Sequence, residues 1–156
     1  MGTFGQAYLQ DKERQLPYFY RLGAAGCIGS VTYERIRELF GSPEELFKAD
    51  TDRLKSLGIF TEGQLLKLEK VKKDPKVMRD YEKALKAGVR ILPFESEEYP
   101  ANLKEIDDYA PVLFTKGNLP GPEVPCVSII GARECSGYGA AVAKRMENCL
   151  RKRVSQ

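Results

Sequence analysis

The sequence contains no histidine, which removes the commonest general base and with it every Ser–His or Cys–His catalytic pair. Its four cysteines, Cys27, Cys126, Cys135 and Cys149, never form a Cys-x-x-Cys pair. That spacing offers no zinc framework and reads as reduced, mostly buried thiols. No apolar run approaches the ~20 residues that a membrane-spanning helix requires. The opening Met1-Gly2-Thr3-Phe4-Gly5-Gln6 lacks a basic region followed by an apolar stretch, so no secretory leader is expected. Together these absences lead to the expectation of a cytoplasmic protein with no membrane contact, no metal, no cofactor and no catalytic residue.

What is present fits a folded chain. Over 156 residues, 42% are hydrophobic and 30% charged, enough for one ordinary domain or two small ones. The net charge of +3 is too small to imply a nucleic-acid partner, but its distribution is uneven. Residues 95–123 are rich in acids, among them Glu95, Glu97, Glu98, Asp107 and Asp108. Residues 133–156 are rich in bases, among them Arg133, Lys144, Arg145, Arg151, Lys152 and Arg153. A solvated helix face accounts for such a run as readily as an anionic partner does.

The first half carries helical punctuation. Tyr18 to Leu22 is apolar on one side, Gly23 to Ser30 is a turn, and Ile36, Leu39 and Phe40 share a helix face that Gly41 closes. Ser42-Pro43-Glu44-Glu45 is a capping box with proline at the first helical position. Asp50 or Thr51 starts a helix that stops at Leu57-Gly58, and Thr61 with Gln64 opens another carrying Leu65, Leu66, Leu68 and Val71. Asp74-Pro75 marks the boundary before a further helix striped with Val77, Met78, Tyr81, Ala84 and Leu85 and ended by Gly88. Beyond it the pattern changes to strands: 89–94, 111–117 with a turn, and 126–130. The last is almost continuously apolar, as in a parallel strand covered on both faces. Ser136 then caps a helix running to Leu150 with Ala140, Ala141, Val142, Ala143, Met146 and Cys149 as its small or apolar positions.

Between the last strand and that helix lies Gly131-Ala132-Arg133-Glu134-Cys135-Ser136-Gly137-Tyr138-Gly139. A helix N-terminus presents unpaired amides and a partial positive charge, and glycines let backbone approach a phosphate. Arg133 adds a planar fork of donors. The segment is neither a Walker A loop nor Gly-x-Gly-x-x-Gly, so spacing alone leaves open both a phosphate cradle and a glycine-rich turn with a surface arginine. Tyr138 is read either as a stacking surface for a base or as packing for the first helical turn, and Cys135 as an inert thiol. Gly26-Cys27-Ile28-Gly29 and Leu57-Gly58-Ile59 sit where helix–hairpin–helix turns would, without their glycine pattern. The helical half therefore reads as structural or protein-interacting.

Three stretches resemble the DprA (Smf) family of bacterial DNA-processing proteins. They are Ile28-Gly29 with Leu39-Phe40-Gly41-Ser42-Pro43, then Tyr99 to Ile106 with Ala110 to Phe114 and Gly117, and finally Val127 to Arg133 with Ser136 to Gly139. The resemblance implies an α/β chain: a helical domain over residues 8–73, like a sterile alpha motif (SAM) or helix–hairpin–helix, followed over 74–156 by part of an extended Rossmann domain. It implies single-stranded DNA binding and RecA loading during natural transformation and recombination, without catalysis, and a homodimer for the complete protein. The family's Gly-Ser-Arg motif falls on Gly131-Ala132-Arg133, with alanine in place of the serine. The expected contacts are Gly131, Ala132, Arg133, Ser136, Gly137, Tyr138 and Gly139. Family members continue past this point with a second glycine-rich motif, another DNA-contacting lysine and much of the dimer surface, so the chain reads as an N-terminal fragment. The alternatives are a Rossmann-type nucleotide phosphoribohydrolase, whose Pro-Gly-Gly-x-Gly-Thr loop and catalytic glutamate are missing, and a protein-interaction fragment.

Overall fold

A computed structural model describes residues 4–121, 123–124 and 127–154, the side chains of 151–154 excepted. The chain divides into two compact units, Met1–Pro122 and Glu123–Gln156. It is a mixed α/β structure, mostly helical, and its one sheet among the described residues has two strands.

The first unit is organised on α2 (Lys12–Ala25), which follows α1 (Phe4–Gln10). Asp11 caps α2 by accepting the Arg14 amide at 3.3 Å, and Gly26, at φ 58°, ends it in the left-handed conformation that glycine adopts without cost. The helix thus begins well before the expected Tyr18 and runs through Gly23. Pro17 removes one helical hydrogen bond, yet the helix persists because it carries Phe19 and Leu22 into the core. Phe19 meets the rings of Phe4 and Tyr8 edge-on, with centroids 5.8 and 5.4 Å apart, and Phe4 meets Tyr33 in the same way at 5.7 Å. Gly23, expected in a turn, is helical because Phe114 lies against it. A Cβ there would come within 2.6 Å of that ring.

The remaining helices follow their local signals. In α3 (Ser30–Leu39), Tyr33 and Ile36 are fully buried. Gly41 is not a left-handed cap as expected; its amide donates to Glu45 at 2.9 Å, and a Cβ would crowd that carboxylate. Ser42 caps α4 (Pro43–Lys48) through the Glu45 amide. Asp50 caps α5 (Thr51–Ser56), and Gly58 follows at φ 67°. Thr61 and Gln64 form both halves of a capping box on α6 (Glu62–Lys73), and Asp74 caps α7 (Pro75–Lys86). α1, α4, α6 and α7 all pack on α2.

β1 (Val89–Pro93) pairs with β2 (Val112–Lys116) antiparallel, Ile91 opposite Phe114. The short α8 (Ala101–Lys104) lies in the connection between them. That connection is bound to α3 through polar groups. Tyr33 Oη donates to Glu95 Oε2 at 2.8 Å, Arg37 Nε lies 3.0 Å from Glu95 Oε1, and Tyr109 Oη donates to Glu34. Burial pushes the Glu95 carboxyl up, against the opposing effects of Tyr33 and Arg37.

In the second unit α9 spans Gly137–Val154. The expected third strand is not formed: Val127–Ile130 is irregular, and Cys126 lies outside the described residues. A strand needs a neighbour for its amides and carbonyls, and among the described residues none pairs with this stretch. Val127 and Ile130 are 64% and 90% exposed, so the doubly covered environment inferred from their apolarity is absent. The thiols were also expected to be mostly buried. Cys135 and Cys149 are exposed and Cys27 half-buried, all three free.

Phe19→Ala is expected to lose about 3–5 kcal/mol in chemical denaturation, since the ring is fully enclosed. A second expectation concerns acid. Hydrogen bonds from Lys48 and Arg14 hold the Glu44 carboxyl at about 2, each contact being 2.7 Å. A value depressed in the folded state stabilises at pH above the ordinary 4.5 and loses that contribution as pH falls toward 2. Thermal melts of Glu44→Gln across this range should therefore show a shallower acid dependence than the parent. Glu95, raised by burial, has the opposite sign: its contribution declines as pH rises above the ordinary glutamate value, and Glu95→Gln should remove that decline.

Candidate functional site

The chemistry expected from the sequence lies at the start of α9. Ser136 takes the N-cap position: its Oγ accepts the Gly139 amide at 3.2 Å, and its carbonyl accepts the Ala140 amide at 3.0 Å. This leaves the Gly137 and Tyr138 amides without a hydrogen bond among the described residues, as the geometry of a helix N-terminus dictates. Arg133 is exposed, and no carboxylate lies within ion-pair distance of it among the described residues.

The glycines leave room around this backbone. Neither Gly131 nor Gly137 adopts a left-handed conformation, and nothing lies within 4 Å of a Cβ built on either. Their own fold therefore does not demand glycine; the missing Cβ keeps approach to the backbone open. Ala132, Ser136 and Tyr138 are exposed and Gly139 half-buried. Tyr138 is 81% exposed and its ring touches no other aromatic among the described residues, so it does not pack the first helical turn. Further along α9, Val142 and Met146 are exposed, as are Lys144 and Arg145. The stretch therefore joins one arginine, two open amides, an accessible ring and a basic helix on a single short segment. Such a set can hold an anion and a planar group beside it.

The two turns weighed as helix–hairpin–helix elements do something else. The Gly26 amide donates to Gly23 O at 3.1 Å and the Gly58 amide to Lys55 O at 3.2 Å. Both close helix C-termini, so the Gly26 and Gly58 amides are taken up within the fold. Among the described residues no group of three or more His, Cys, Asp or Glu side chains is placed to hold a metal ion, and no helix is long and apolar enough to cross a membrane.

The sequence reading missed the lysines of the first unit. Lys67, Lys70 and Lys76 border a groove of about 390 Å³ between α6 and α7. Their signal was the surplus of bases over acids across residues 62–86, which helix-face arguments make unremarkable in one dimension.

Ser136→Ala should destabilise the first turn of α9 by about 0.5–2 kcal/mol, seen as faster hydrogen exchange at the Gly139 amide with the rest of the helix little changed.

Comparison with known proteins gives one positive result. Residues 90–155 match the family model of DNA recombination-mediator protein A, the family that the motifs at Tyr99–Ile106 and Val127–Gly139 resemble. No curated protein and no solved structure matches the chain.

Proposed function

We propose, taking the match of residues 90–155 to DNA recombination-mediator protein A as premise, that this chain is a DNA-processing protein that binds single-stranded DNA without catalysing a reaction. It acts on this reading with RecA, as a homodimer, in the cytoplasm. On this reading residues 8–73 form the SAM-like helical domain and 74–156 the first part of a Rossmann-type domain. The observation that carries the proposal is the exposed Arg133, without an ion pair among the described residues, beside the open amides that lead α9, within the matched segment.

The roles follow from chemistry. Gly131 and Ala132 bring backbone close to a phosphodiester, and Arg133 supplies a charge-assisted fork of donors. Ser136 orders the first turn, Gly137 and Tyr138 offer amides, and Gly139 keeps the turn close to Ser136. The Tyr138 ring gives a base a stacking face, which in single-strand binders contributes about 1–3 kcal/mol per base. None of these contacts reads base edges, so binding is sequence-tolerant.

Oligo-dT titrated into the protein should bind with an affinity that falls as salt rises. Arg133→Ala should weaken that binding for every sequence alike and flatten the salt slope. Unaltered affinity in Arg133→Ala would remove the arginine from the site.

A further inference from the structure

The groove between α6 and α7 has a charge arrangement that nothing in the fold uses. It opens where the end of α6 turns at Asp74 into α7, and Tyr20, Ala24 and Ala25 of α2 form one wall. Val71 and Val77 continue the apolar lining. Three ammonium groups, Lys67, Lys70 and Lys76, stand around it, and all three residues are exposed.

The two acids in the groove keep their charge but have partners other than these three ammoniums. Asp74 caps α7, accepting the Lys76 amide at 2.8 Å, and Asp80 pairs with Lys83 at 3.6 Å. The nearby Glu69 pairs with Lys72 and Lys73. Among the described residues no carboxylate lies within ion-pair distance of Lys67, Lys70 or Lys76. Elsewhere on these helices lysines do find acids; around this concavity three unpaired lysines outnumber the Asp74 and Asp80 carboxylates and leave the lining net positive.

The apolar wall is anchored by aromatic contacts. Tyr20 is held edge-on by Tyr81 and Phe114, with centroids 5.3 and 5.4 Å away. Its half-buried ring, the exposed Ala24 and the half-buried Val77 present apolar surface beside three point charges. A polycarboxylate would satisfy the charges alone. A nucleotide strand satisfies both features, phosphates on the ammoniums and base or sugar on the wall.

We infer that the α6–α7 groove is a second binding site for the phosphodiester backbone of single-stranded nucleic acid, separate from the Arg133 segment. It rests on the preceding reading for its ligand class and on none of the same residues. The helical part of the chain then has a binding role of its own beside its structural one.

The test follows lysine side-chain and backbone amide resonances of the 156-residue protein during titration with oligo-dT, alongside binding isotherms at several salt concentrations. Circular dichroism confirms folding of Lys67→Glu/Lys70→Glu/Lys76→Glu, whose exposed positions leave the core untouched. Resonances of Lys67, Lys70 and Lys76 should shift. The triple variant should bind more weakly and lower the salt slope by about 2, three phosphate contacts at ~0.7 each, and these losses should persist in an Arg133→Ala background. Shifts confined to residues 131–139, with the triple variant binding normally, would overturn the groove and leave the Arg133 reading standing. Shifts confined to the groove would support it and remove Arg133. No shift at either place would overturn both. Full displacement of oligo-dT from the groove by polyglutamate of equal charge would show an acidic-peptide site instead and overturn the inference.

Discussion

The packing of α2 is the constraint on which the first unit depends. One helix supplies Phe19 and Leu22 to the core, receives α1, α4, α6 and α7, and meets both strands. Burying a side chain such as Phe19 is worth about 1.5–3 kcal/mol in transfer alone, and its edge-on contacts with Phe4 and Tyr8 add to that. The same helix must admit Phe114 at Gly23, where any side chain would collide. Helix and hairpin are thus fitted to each other at a single residue without a Cβ.

Charge is handled differently at the core and at the rim. Glu95 is almost wholly enclosed and is held by Tyr33 and Arg37, linking α3 to the connection between the strands. Such a buried arrangement gains little net stability, because desolvation offsets attraction, but removing one partner strands the others. Glu44 instead joins Arg14 and Lys48 at the edge of α2 and α4, where its carboxylate stays charged. One carboxylate resists ionisation and the other favours it, because desolvation dominates at Glu95 and hydrogen bonds from two cations dominate at Glu44.

The second unit inverts this economy. Its candidate contacts are exposed, its glycines are free of internal strain, and Arg133 has no carboxylate to neutralise it among the described residues. A segment with these properties contributes little to a core and leaves its donors open to solvent. The lysine groove of the first unit likewise has exposed, unpaired cations among the described residues, beside a wall in which Tyr20 contacts Tyr81 and Phe114.

The sequence alone determined whatever is decided within a few residues. The caps at Ser42, Asp50, Thr61, Asp74 and Ser136 formed, because donor and acceptor in each lie two or three residues apart, though at Ser42 only half of the expected capping box is made, Glu45 accepting instead from the Gly41 amide. The stops at Gly58 and Gly88 formed because each position needs a positive φ. Segments 89–93 and 112–116 were legible as strands from their apolar and β-branched residues. The glycine–arginine–serine segment was legible as a potential anion cradle for the same local reason. Tertiary structure decided the rest. It extended α2 through Pro17 and Gly23, because burial of Phe19 and contact with Phe114 outweighed two weak helix formers. It left Val127–Ile130 without a pairing strand among the described residues despite its apolarity, because a strand exists only with a neighbour. It also gathered Lys67, Lys70 and Lys76 around one groove, since which charges share a concavity depends on how α6 and α7 pack on α2 and not on their order along the chain.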